Sequence, residues 1–452
     1  MFTTILGEVA GYFDRRALIS AFFPNLFLWG LVVIIVIISQ TGFTGAVKTW
    51  EELSGTAQGI LLVAFFAWVS FWTFLTLNFR VALMRMYEGY GSEGGISYIL
   101  FNWFFNWRTN YWKEHWSKLD SEDNNLENRQ NDLRQLKLFL DNVYNSLNST
   151  LINIEQAGNN HVSNKIVNSQ PTDASIDNEL KKTEYEVRTL MNNLPALTKV
   201  EDVQAKVLKW QRAIEAFLTT ISENKERSWE KEYIDITNIL SYFVEIIEKI
   251  KQEVNEVEGK RLKIHRDLFL YYPPNQSQIM PTQLGNVLKS AEMYTQERYC
   301  LDAVLIWSRL QPLVPKEFMD AVEDSKTSLD LMVTLSALVI FFGLPLSFYI
   351  AFITAISPFS GAIVFVGALS IVLFLSWLAY KNGVQAALAF GENIKTTFDL
   401  YRWNVLEALK LKLPESLDEE RQMWTVLCEF LYRAQRPDER YYRYSNSTSR
   451  EK

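Results

Sequence analysis

The chain has 452 residues, 14% aromatic and 21% charged, with a formal net charge of −7. No basic run marks a nucleic-acid surface, so charge does not support nucleic acid as a partner. Cys300 and Cys428 lie far apart without CxxC spacing, which argues against a disulfide framework and a zinc site. In chain order, the first element is the uncharged run "ALISAFFPNLFLWGLVVIIVIIS", Ala17 to Ser39, followed by a second at Gly59 to Phe79. After a long polar region come a third, Leu331 to Ile356, and a fourth, Phe359 to Tyr380. A helix rises about 1.5 Å per residue and the hydrocarbon layer is about 30 Å thick, so each run is long enough to span it. The first is not a cleaved signal: its apolar part is too long and no small-residue cleavage site follows.

Lys and Arg bias sets the expected orientation. Arg15 and Arg16 precede the first span, whereas the following loop holds Lys48 against Glu51 and Glu52. Arg80, Arg85, Arg108, Lys113 and Lys118 follow the second span, and Lys381 and Lys395 follow the fourth. The expectation is an integral inner-membrane protein, multi-pass, with both termini and the central region cytoplasmic. Between residues 96 and 120, Trp103, Trp107, Trp112 and Trp116 recur at helical spacing among Phe, Tyr, Arg and Lys. That composition fits a helix on the inner membrane face, with a buried helix as the alternative.

From residue 121 to 264 three stretches alternate apolar residues by three and four. Leu133, Leu136, Leu140, Val143 and Leu147 form the first, and Val203, Val207, Trp210, Ile214, Phe217 and Ile221 the second. The third runs from Trp229 through Tyr233, Ile236, Leu240, Phe243, Ile247, Ile250 and Val254 to Val257. Such seams predict a helical bundle or a coiled-coil stalk, and they offer a surface for a cytoplasmic ligand or partner protein. The polar stretch Gly158 to Ser175 reads as a loop and residues 436–452 as a disordered tail.

No catalytic constellation appears. His115, His161 and His265 sit in unrelated contexts, and no phosphate loop, dinucleotide fingerprint or nucleophile elbow is present. The chain is therefore not expected to be an enzyme, and no cofactor or metal is called for. Polar residues in the spans are sparse: Ser70, Thr73 and Thr76 recur every three residues and lead to Asn78, while the third span has Asp330 at its mouth and Thr334 inside. These six are the candidate pore-lining residues, against the alternative that the hydroxyls bond their own backbone or a neighbouring helix. Four such apolar spans carry too little polar surface for a single-chain pore, so a channel would be a homo-oligomer.

Residues 265–328 form a candidate coupling unit beneath the third span, whose marked residues are Asn286, Arg298, Asp302, Trp307 and Arg309. The two arginines are expected to pair with Glu292, with Asp302 or with a phosphate-bearing ligand. The pattern PTxLGNxLxxAExY…RYxxDxxxxWxRL, from Pro281 to Leu310, resembles that of a group of uncharacterised bacterial multi-span membrane proteins. The resemblance extends to "RMYEGY" at Arg85 and to "AFGENIKTTFDLYRWNVLEAL…LPESLDEERQMW", Ala389 to Trp424. It covers roughly residues 10–120 and 265–430 and implies a multi-span fold without an assigned activity. Where that pattern expects glycine after Tyr299, this chain has Cys300. In architecture the chain is also similar to channel-forming membrane effectors of anti-phage defence.

The expected fold class is an all-α integral membrane protein with four transmembrane helices plus a cytoplasmic helical bundle or coiled-coil domain. Its expected parts are an N-terminal transmembrane hairpin (1–95), an aromatic interfacial helix (96–120), a heptad domain (121–264) and the coupling unit (265–328). A second hairpin (329–385), C-terminal helices (386–435) and the tail follow. The expected function is an oligomeric membrane ion channel or pore gated by its cytoplasmic domain, as in an anti-phage effector. The alternative is a non-conducting scaffold or sensor that recruits partners through its cytoplasmic helices.

Overall fold

The structure, a computed structural model, describes residues 14–90, 96–159, 181–189, 200–223, 230–354, 358–433, 442 and 444. All secondary-structure elements among these residues are helices, apart from one isolated bridge, Leu411 to Tyr444. Contacts divide the chain into two compact units: Met1–Ser117 with Asp267–Lys452, and Lys118–Arg266.

In the first unit, four helices are long and apolar enough to cross a membrane: α1 (Arg15–Glu52), α2 (Gly55–Glu88), α8 (Lys316–Thr354) and α9 (Pro358–Ala408). Phe27, Ile60, Phe71, Phe348 and Ile363 point outward from them, which an apolar solvent tolerates and water does not. Pro24 explains a local widening of α1. It has no N–H for the carbonyl four residues back, and its ring crowds that carbonyl, so Leu18–Phe22 forms a π-helical turn instead. At its other end α1 kinks at Gly42, whose φ of 70° only glycine adopts freely. Ser54 caps α2 by accepting from Ala57 N, and α8 runs on through Pro345. Next to the apolar helices, α6 (Gln283–Tyr299), α7 (Ala303–Leu310) and α10 (Leu417–Arg433) pack with one another and with α9.

The second unit contains most of α3 (Ile96–Asn159), α4 (Val200–Glu223), most of α5 (Glu230–Tyr271) and a helical stretch at 181–189. The three apolar seams face one another in a single cluster, with Leu140, Leu147, Val207, Ile214, Phe243 and Ile250 fully buried. Ion pairs flank α3 and α5 in antiparallel register: Arg129 to Glu253 at 2.7 Å and Arg261 to Asp123 at 3.3 Å. Trp229, His161, residues 160–175 of the expected loop and most of the tail lie outside the described residues, as does the Ile221 side chain.

One difference from the sequence reading concerns the aromatic segment. It is not a separate helix but the beginning of α3, which continues into the first heptad stretch. The cause is local: no proline and only Gly158, at the far end, interrupt residues 96–159. Trp103 and Trp107 are 79% and 53% exposed, and Arg108 lies over the rings of Trp107, Tyr111 and Trp112.

Candidate functional site

Helices α1 and α2 meet along a polar seam inside the apolar spans. Asn25, fully buried, donates through Nδ2 to Ala21 O at 3.0 Å and to Thr76 Oγ1 at 3.1 Å. Four residues further, Trp29 lies against Trp72, with ring centroids 5.6 Å apart. These rungs, 25 opposite 76 and 29 opposite 72, fix an antiparallel register that places Ser20 at the level of Arg80. There Arg80 Nη1 meets Asp330 Oδ2 of α8 at 3.1 Å, the arginine side chain 37% exposed and the aspartate 6%. From Trp72 to Arg80 the seam is about 12 Å long, close to half the hydrocarbon thickness.

The seam is incompletely satisfied. Seven buried side-chain polar atoms among the described residues lack a hydrogen-bond partner, and four belong to α1 and α2: Ser20 Oγ, Asn25 Oδ1, Trp29 Nε1 and Trp72 Nε1. They include acceptor and donor capacity facing an apolar interior. Buried polar atoms of this kind are normally satisfied by ordered water.

The candidate pore-lining residues therefore separate. Thr73 and Thr76 point into the chain, donating to Val69 O and Trp72 O at 2.8 Å each. Thr334 is buried on α8, four residues beyond Asp330, and Ser70 is half-buried. Asn78 is exposed on the far side of α2, where its amide returns to Phe74 O at 2.7 Å. Near the start of α1, Arg16 forms ion pairs with Asp320, Glu323 and Asp324 of α8.

At the C-terminal end of α2, the Pro281 to Leu310 pattern forms a collar whose parts have structural roles. Gly89 ends α2 in the left-handed conformation with φ 95°, and Pro281 sits against it. Thr282 Oγ1 donates to Tyr87 O at 2.7 Å and accepts from Gly285 N at 2.9 Å, so one side chain joins α2 and caps α6. Asn286, buried, clamps Met280 with both ends of its amide, accepting at 2.7 Å and donating at 3.1 Å. Gln283 and Leu284 extend the collar to Lys381 and Tyr380 of α9. The collar thus holds α2 and α9 to one short segment.

A second cluster holds α6 to α9 and α10. Asp399 accepts from Tyr294 at 2.8 Å and Tyr299 at 2.7 Å; burial, and then these bonds to the carboxylate, push both phenols up. Glu420, 3% exposed, accepts from Arg402 at 2.7 Å, Trp403 at 2.8 Å and Trp424 at 3.2 Å. Burial works to raise that carboxyl, but the three donors outweigh it and hold Glu420 below its usual value. Arg402 also stacks over Tyr299 and donates to Asp399 O.

Neither marked arginine forms an ion pair with Glu292 or Asp302. Arg298 lies over the Tyr294 ring, 4.8 Å from its centroid, and Arg309 donates to Leu305 O in its own helix. Asp302 is instead the N-cap of α7, accepting from Leu305 N at 2.9 Å, and Glu292 pairs with Lys289. Trp307 packs on Phe398. Cys300 takes the left-handed position with φ 56° that glycine would fill, and the hydrogen bonds of Cys300 N and Leu301 N back into α6 close the turn. Sequence reasoning missed Ser20, Asn25 and Glu420. The signal was present for Asn25: with Pro24, it interrupts an apolar run as its one amide.

Among the described residues, no three His, Cys, Asp or Glu side chains gather as metal ligands would. No protein-family model, no curated protein and no solved structure matches this chain.

Proposed function

We propose that the chain is the subunit of an oligomeric ion channel or pore of the inner membrane, controlled from its cytoplasmic side. The observation that carries this reading is the partnerless polar line Ser20, Asn25, Trp29 and Trp72, which ends at the Arg80–Asp330 pair. A helix pair serving only as an anchor would gain by replacing such groups with apolar ones, because each unmet buried polar atom costs about 1–3 kcal/mol. Water in the seam relieves that cost and supplies the polar surroundings that a permeating ion needs. Control would reach the seam through the collar, since Thr282 grips the end of α2 that carries Arg80. Nine residues before Pro281 the chain leaves α5, which also runs through the Lys118–Arg266 unit. A ligand or partner acting on that unit is thus covalently continuous with the collar, a layout suited to an anti-phage effector.

Single-channel recording in planar bilayers tests this reading, on protein whose oligomeric mass has been fixed by light scattering. Conductance that falls in Asn25→Leu supports it; a verified oligomer that conducts under no condition counts against it. One observation favours the scaffold reading instead, namely the exposed stripe of Trp103, Trp107 and Tyr111 on α3. Substituting those three by serine would then abolish partner capture while leaving conductance absent throughout.

A further inference from the structure

We propose that a slot between α1, α8 and α9 binds one acyl chain of a phospholipid. The slot has a volume of about 540 Å³, and none of the polar seam's residues lines it. Its floor is the contact of Gly343 with Val372, where the two helices approach so closely that a Cβ on the glycine would come within 2.5 Å of the valine. Its walls are Leu28 and Leu31 on one side and Leu375 on the other.

Shape selects the occupant. From Ala368 to Asn382 the slot follows fourteen residues of α9, about 21 Å at the helical rise. A volume of 540 Å³ spread over about 21 Å leaves a mean cross-section of about 26 Å². A helix with side chains is about 10–12 Å across and needs roughly 80–110 Å², so another copy's span would lie across the slot and not within it. A single hydrocarbon chain does. Polarity agrees: Ser347 is the polar side chain within the slot, and its hydroxyl is already bonded to Gly343 O at 2.7 Å. At one end Asn382 is exposed beside Lys381, which places amide and ammonium groups where the ester and phosphate of that lipid would sit. About 21 Å also exceeds half of the roughly 30 Å core, so the chain enters from the leaflet at Lys381 and reaches past the midplane.

The test is photolabelling of the full chain in vesicles of phosphatidylethanolamine and phosphatidylglycerol. A trace of phosphatidylethanolamine with a mid-chain diazirine is included, and adducts are mapped by mass spectrometry. Adducts should concentrate on slot residues such as Val339 and Leu375 over the more exposed Ile60 and Ile363. Ala368→Trp fills the slot, and at the cost of overpacking it should cut slot adducts about tenfold while leaving those at Ile60 unchanged. Where that variant fails to fold, the wild-type map decides alone. Labelling that simply follows exposure overturns the proposal, as do slot adducts that survive Ala368→Trp in folded protein. Cross-links from the slot to a second copy's helix overturn it as well.

Discussion

Gly285→Ala adds one methyl group at the point where the collar meets α2. Its carbon would lie 2.0 Å from Glu88 O, 2.9 Å from Glu88 C and 3.0 Å from Met280 Cβ. Carbon and oxygen rest no closer than about 3.3 Å, so α6 must retreat from α2 by roughly 1.3 Å. That movement strips Thr282 Oγ1 of its bonds to Tyr87 O and Glu88 O, now 2.7 and 3.0 Å long, and loosens Pro281 from Gly89. Overpacking costs about 1–3 kcal/mol and the lost hydrogen bonding about 1 more, giving about 2–4 kcal/mol. Cys300 and Cys428 belong to the same compact unit, so a thiol-reactive dye reads its thermal opening in detergent. The melting temperature should fall by about 3–6 °C. Gly367→Ala is the control: nothing lies within 4 Å of its added carbon, and its melting temperature should hold or rise. A Gly285→Ala protein that melts no lower than the control would refute the docking account.

Glu420 supplies a pH dependence. Its folded-state value lies below the ordinary 4.5, so its contribution is fully present above that pH and disappears as the pH falls through the lower value. Glu420→Gln should therefore melt lower than wild type near neutrality, and the gap should narrow on acidification; a constant gap contradicts the assignment. In the other unit, Trp210 is buried, donates to Glu186 at 2.8 Å and meets Phe243 edge-on. Trp210→Ala should cost about 3–5 kcal/mol, read as faster amide exchange across 118–266 in the full chain, with Trp210→Phe intermediate.

Features imposed by solvent were legible in the sequence. Hydrocarbon demands about twenty unbroken apolar residues, and Ala17–Ser39 or Phe359–Tyr380 shows that plainly. The heptad seams were legible for a similar reason: Leu133, Leu140, Val207 and Phe243 must all reach one core, so their spacing records the helix period. Facing was not legible. Period three put Ser70, Thr73 and Thr76 on one stripe, but only packing against α1, where Asn25 meets Thr76, decides that Thr73 and Thr76 turn inward. Charge suggested carboxylate pairs for Arg298 and Arg309, whereas a nearby ring and a carbonyl of the same helix hold them. The roles of Gly285 and Gly89 depend on two segments about two hundred residues apart, and no local pattern reveals that contact.

Silver-ion accessibility of Ser20→Cys bears most directly on whether the seam carries water and ions. With Cys300 and Cys428 replaced by serine, the protein is reconstituted and exposed to Ag⁺, a cation small enough to follow water. Phe27→Cys, on the outward face of the same helix, serves as the reference. The account predicts rapid modification at residue 20, slowed by Asn25→Leu, and little at residue 27. Protection at residue 20 as complete as at residue 27 would make the seam a dry structural lock and contradict the channel reading.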